Sequence, residues 1–152
     1  MAIRSKTYLY RTAVEWAGEK RGKAASEGKP EIEVATPPEF RGHAGIWSPE
    51  DLFVSAVNVC VMTTFLSMVD REGLALGHYR SEAEGKLELT ETGFMFTEIV
   101  VRPEIGVSSE EDIVKASALI GKAEHACLIS NSIRSKVILE PRIALGTQAS
   151  AD

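Results

Sequence analysis

The chain has 152 residues, enough for one domain that buries roughly two-thirds of its unfolded surface. An apolar fraction of 44%, a charged fraction of 26% and a formal charge of −5 describe an ordinary globular protein, and without a Lys/Arg cluster they argue against nucleic acid as a partner. Two cysteines are too few for a disulfide scaffold.

The N-terminus, MAIRSKTYLYRTAVEW, carries charges throughout and lacks the continuous apolar core of a signal peptide. The expected compartment is therefore the cytoplasm, where a disulfide would be transient and catalytic. From Lys6 to Trp16, Tyr8, Tyr10, Thr12, Val14 and Trp16 fall on alternate positions, which predicts a strand. GEKRGKAASEGKP predicts turns around a short strand near Lys23–Ser26, EIEVAT predicts a further strand, and PPEFRGHAGIW predicts a loop.

The entry of the next element is strongly marked. Ser48 is a good N-cap, Pro49 fits the first helical position, and Glu50 and Asp51 favour the positive end of the helix dipole, with Asp51 placed for a capping box. Gly73 marks the stop. Between these signals, residues 52 to 69 carry no charge, and the apolar side chains cover every face. A helix apolar all round must be covered on all sides, which asks for a partner subunit. Eighteen residues also reach the lower limit for a membrane span. Ser55, Asn58, Thr63, Thr64 and Ser67 dilute the apolarity, however, and the N-terminal flank is acidic, so no membrane is expected.

Tyr79–Leu89 and Phe94–Pro103 predict two strands joined by TETG as a hairpin. SSEEDIVKASALIGKAEHA predicts a second helix capped by Ser108 or Ser109, with Ile113, Ala116, Leu119, Ile120 and Ala123 as its apolar stripe. CLISNSI reads as a turn or short helical piece, KVILEPRIAL as a last strand and GTQASAD as a frayed tail. The sum is a single α+β domain over residues 1–152.

No glycine-rich phosphate loop and no GxSxG is present. His43, His78 and His125 are scattered, and His125 with Cys127 lacks the four-ligand spacing of a structural zinc site, so neither metal nor cofactor is expected. A Cys–His nucleophile pair through His125 or His43 stays open, without support from spacing. The thiols remain. A thiol reacts as thiolate, and burial in an apolar helix disfavours that form. Cys60 lies about twelve residues inside its helix, too deep for the N-terminal dipole to help much. A functional Cys60 would need a cation brought to it, and a structural one would not.

SPEDLFVSAVNVCVMTTF, with AEHACLISNSI placing Cys127 67 positions after Cys60, resembles the OsmC/Ohr family of osmotically inducible and organic-hydroperoxide-resistance proteins. The N-terminal strands with their Gly-rich turn, the TP before the loop and the total length agree, so the resemblance covers nearly the whole chain. It implies antiparallel sheets around a long buried central helix, in an intertwined homodimer. It also implies a thiol peroxidase. Cys60 would attack the O–O bond of an organic hydroperoxide and become a sulfenic acid. Cys127 would resolve it as a disulfide, and an external dithiol, a lipoyl group being one candidate, would reduce that disulfide. The family pairs the glutamate of the helix entry, here Glu50, with an arginine from the N-terminal turn. Ungapped alignment puts Lys20 on that position and Arg21 one residue later, and a one-residue slip in a strand reverses the face. Arg21 is preferred; Lys20 could act as a point charge but cannot make Arg's bidentate fork with a carboxylate, and Arg41, in the loop before the helix, is the other alternative. Leu128 stands where many relatives have proline. The rival reading of the same resemblance is a stress protein that binds hydrophobic small molecules with little turnover.

Helix geometry adds one constraint. Glu50 and Cys60 are ten residues apart, about 15 Å along a straight helix, so that helix alone cannot link them. A kink, a long bridging arginine or a second subunit would be needed.

Overall fold

The structure, a computed structural model, describes residues 5–146; the predicted tail beyond Gly146 lies outside them. The chain divides into two compact units, Met1–Leu52 and Phe53–Asp152. The described residues form seven strands and two α-helices.

In the first unit, β1 (Ala13–Trp16), β2 (Arg21–Ala25) and β3 (Ile32–Ala35) form an antiparallel meander. The β1–β2 turn closes with Ala17 N–H donating to Arg21 O at 3.0 Å and Arg21 N–H to Gly18 O at 3.0 Å. Glu19 sits in that turn at φ 50, an unusual conformation for a residue with a side chain. The strand predicted from Lys6 shrinks to Ala13–Trp16, because β2 offers only five residues to pair with before the chain turns at Ser26. Tyr8, Tyr10, Val14 and Trp16, the apolar side of that alternation, are all exposed. A single 3-10 turn at Pro38–Phe40 interrupts the predicted loop. Gly42 is required there, since a Cβ would lie 1.7 Å from Thr36 O.

Helix α1 (Pro49–Glu72) begins as its sequence predicts. Ser48 N–H donates to Asp51 Oδ2 at 2.9 Å while Asp51 N–H donates to Ser48 Oγ at 3.1 Å, a reciprocal capping box. Gly73 follows the helix at φ 67. By length and composition α1 could also cross a membrane, the one such helix among the described residues.

The second unit pairs β4 (Leu76–Thr90) and β5 (Gly93–Val107) in a long antiparallel hairpin, followed by α2 (Glu110–Ala126). Ser109 caps α2, accepting from Asp112 N–H at 3.2 Å. The predicted last strand is two strands, β6 (Lys136–Leu139) and β7 (Arg142–Leu145), both parallel to β5. The sheet is therefore mixed rather than wholly antiparallel, because the α2 crossover returns the chain in the same direction as β5. The break follows from the register with β5. Register places Glu98 opposite Lys136 and Glu104 opposite Arg142, so Pro103 falls opposite Pro141, and neither can donate to the ladder.

Alternation on β5 separates the two faces. Ile99, Val101, Ile105 and Val107 join Val57, Val61 and Phe65 of α1 and Ala116, Leu119, Ile120 and Ala123 of α2 in one buried cluster. Phe53 stacks on Phe96 with centroids 5.0 Å apart, next to Gly85, where a Cβ would meet Val54 at 2.5 Å. Only part of α1 is buried, chiefly Val57, Cys60, Val61, Phe65 and Val69. The opposite stripe of Ala56, Val59, Thr63 and Leu66 faces out, with Val59 52% exposed. Within one chain, the helix expected to be buried all round is covered on one side.

Candidate active site

Cys60 and Cys127 are both free and both in the core of the second unit. Cys60 arrives on the buried stripe of α1. Cys127 arrives as the residue that ends α2, its backbone turned extended at φ −64, ψ 108. The following turn is fixed by Asn131 N–H to Cys127 O at 3.0 Å and Ser132 N–H to Ile129 O at 3.0 Å.

Burial pushes the Cys60 thiol up, but hydrogen bonds outweigh it. The thiol of Cys127, the N–H of Ile129, the hydroxyl of Thr64 and the N–H of Leu128 all favour the thiolate, and the net shift is downward. Thr64 Oγ1 lies 3.9 Å from Cys60 Sγ, one helical turn along α1. Cys127 moves the other way. Burial raises it, and its hydrogen bond to Cys60 raises it further, because the donor keeps its proton; Ser130 acts in the opposite direction without reversing the sum. Ser130 N–H donates to Cys127 Sγ at 3.4 Å. The pair thus has a direction: one sulfur is held towards thiolate and the other is held as thiol.

The residues expected to activate Cys60 lie in the first unit. Arg21 Nη2 is 3.6 Å from Glu19 Oε2, and His43 Nε2 is 3.5 Å from the same oxygen. Lys20 Nζ donates to Phe40 O at 3.1 Å. Arg41 sits at φ 59, and its side chain has no hydrogen-bond or ion-pair partner among the described residues. Glu50 Oε2 is buried without a hydrogen-bond partner, an acceptor left open. Lys20 and Arg21 also line an open hollow of about 520 Å³ in this unit, with Val14, Trp16, Ala35 and Pro49. His125 is largely exposed beside Glu124 at 3.7 Å and is absent from the groups acting on either thiol. Among the described residues, no group of three or more His, Cys, Asp or Glu could hold a metal ion.

Residues 42–142 match the family model described as OsmC-like protein. The chain belongs to the OsmC-like family. It is 28% identical over 129 residues to the uncharacterized protein YmaD of Bacillus subtilis, covering 82% of this chain and 86% of YmaD. An OsmC-like protein of unknown function from Vibrio cholerae superposes with a TM-score of 0.81 at 22% identity, over 89% of this chain and 99% of the other. An organic hydroperoxide resistance protein OsmC from Legionella pneumophila gives a TM-score of 0.71 at 25% identity, over 91% and 100% of the respective chains. These neighbours share the mixed α+β architecture.

Within this OsmC-like chain, sequence reading missed four groups around the thiols: Thr64, Ser130 and the N–H groups of Leu128 and Ile129. Thr64 had a signal, the i+4 spacing from Cys60. Backbone donors have none, because every residue except proline carries one. These neutral donors supply, without a formal charge, part of what the sequence reading asked of a cation.

Proposed function

We propose that the chain is a cytoplasmic thiol-dependent peroxidase that reduces organic hydroperoxides to alcohols. The observation that carries this reading is the presence of two free, buried thiols in one core cluster, with Cys60 pushed down and Cys127 pushed up. The Cys60 thiolate attacks one oxygen of the peroxide, the O–O bond breaks, and the alkoxide leaves and takes up a proton. Cys60 is then a sulfenic acid. Cys127 attacks its sulfur, water leaves, and a disulfide remains for an external dithiol, such as a lipoyl group, to reduce. The apolar surroundings of Cys60 favour an alkyl hydroperoxide over hydrogen peroxide, since alkyl surface gains by leaving water.

Arg21 is assigned as the cation that supports the thiolate, with the open acceptor of Glu50 as its carboxylate partner. The working unit is a homodimer. This is supported by the outward apolar stripe of α1 and the exposed apolar side chains of β1, which a soluble chain covers with a partner.

Hydroperoxide consumption with a dithiol tests the reading. Wild type turns over, Cys60→Ser does not, and Cys127→Ser performs one stoichiometric reduction and accumulates a trappable sulfenic acid. Equal partial losses in both variants count against these roles. A wild type that consumes no hydroperoxide leaves the fold as a carrier of hydrophobic small molecules.

A further inference from the structure

We propose that Ser130 is the positioning residue of the resolving step: its N–H holds Cys127 Sγ, and its hydroxyl joins it in stabilising the thiolate that attacks the Cys60 sulfenic acid. This rests on the peroxidase reading above.

Three observations carry it. Ser130 N–H donates to Cys127 Sγ at 3.4 Å. The Ser130 hydroxyl is buried and has no partner in hydrogen-bonding geometry while both thiols are reduced. The backbone that presents it is fixed from several sides: Asn131 N–H to Cys127 O, Ser132 Oγ to Leu128 O at 2.6 Å, and Asn131 Nδ2 to His125 O at 3.0 Å. A buried hydroxyl without a partner is unfavourable and calls for a state in which it has one. An anionic Cys127 sulfur is that state.

The reaction sequence explains why the bond is not already made. In the reduced pair, burial and the hydrogen bond to Cys60 keep the proton on Cys127, and Ser130 opposes them without prevailing. Oxidation turns the Cys60 thiolate into a neutral sulfenic acid, so that acceptor disappears. The two Ser130 donors stay. Cys127 then loses its proton and its sulfur lone pair forms the S–S bond. The S–O bond of the sulfenic acid breaks, and hydroxide leaves with a proton as water. Cys60 is thereby reduced and Cys127 oxidised, with no further reactant.

The test uses full-length protein, one equivalent of cumene hydroperoxide and rapid mixing. Ser130→Ala should still form the Cys60 sulfenic acid but close the disulfide about tenfold more slowly than wild type at neutral pH, the scale of one hydrogen bond to a charged group. The deficit should shrink as pH rises, a dimedone adduct should accumulate on Cys60, and Ser130→Thr should restore closure. In a Cys60→Ala background, alkylation of Cys127 should shift to higher pH in Ser130→Ala. Unchanged closure at every pH, or an unmoved alkylation profile, overturns the role of Ser130. A wild type that never forms the sulfenic acid overturns the peroxidase reading, and the resolving role with it, whatever the alkylation profile shows.

Discussion

Cys60 and Cys127, two free thiols in one buried cluster, set each other's acidity in opposite directions: the Cys127 thiol favours the Cys60 thiolate, and the same interaction keeps the proton on Cys127. The sign follows from who donates. A donor to the anion lowers the acceptor's pKa and raises its own. Alkylation of Cys60 should therefore begin at lower pH than that of Cys127, and the two should not titrate as independent thiols. Cys127→Ala removes the donor and should move the Cys60 alkylation profile to higher pH. Cys127→Ser keeps a hydroxyl donor and should move it less. Mass spectrometry of the alkylated peptides across pH reads both shifts, and a Cys60 profile indifferent to Cys127 contradicts the pairing.

Leu128 offers a sharper probe of the backbone donors. Its N–H favours the Cys60 thiolate and is used by no backbone acceptor among the described residues. Cys127 before it is extended at φ −64, ψ 108, a conformation that tolerates a following proline. Leu128→Pro should therefore fold normally while raising the Cys60 pKa and slowing its reaction a few-fold near neutral pH. The same change should leave the thermal midpoint nearly unmoved. An unaltered alkylation profile would show that the Ile129 N–H, Thr64 and Cys127 suffice.

Arg21, assigned as the supporting cation, is tied to an exposed Glu19 at 3.6 Å, a contact worth little. Arg21→Met should raise the Cys60 pKa more than Lys20→Met or Arg41→Met, and Glu50→Gln should reproduce part of the effect. Alkylation rate against pH for the four variants decides between them. Four profiles matching wild type would remove the cation from the mechanism and leave the neutral donors to account for the thiolate.

Elements with local causes were legible in the sequence. The Ser48–Asp51 box, the Ser109 cap and the Gly73 stop depend on neighbours a few residues away, and the structure has all three. Features decided by distant partners were not. The strand from Lys6 needs a long β2, and the break in the last strand needs Pro103 to fall opposite Pro141, a coincidence of register 38 residues apart. The meeting of Cys60 with Cys127 came from family resemblance, since nothing in a spacing of 67 residues brings two thiols together. Half of the donors around them are main-chain groups, which no residue type announces.

Phe65 tests the core that holds the thiols in place. It is fully buried on the Cys60 stripe of α1, and its ring lies 5.6 Å from that of Tyr79. Phe65→Ala should destabilise the protein by about 3–5 kcal/mol, the range for truncating a buried aromatic. Urea unfolding at a fixed protein concentration measures it. A loss below about 1 kcal/mol would mean that this cluster is looser than its burial indicates.

The outward stripe of α1 decides whether one chain is a complete molecule. Ala56, Val59, Thr63 and Leu66 follow a 3-4-3 spacing, so they share one face, and Val59 is 52% exposed while Val57 and Val61 beside it are buried in the chain's own core. A charge at position 59 therefore leaves the single-chain core intact and acts on whatever covers the stripe. If a second copy covers it, burying an unpaired carboxylate there is strongly unfavourable. Wild type should then sediment as a dimer at low micromolar concentration, with no folded monomer on dilution. Val59→Glu should lose the dimer together with cooperative folding and peroxidase turnover, whereas Val59→Ile should keep all three. A Val59→Glu protein that stays folded, monomeric and fully active would show that the stripe needs no partner, and would remove the dimer from the proposed mechanism.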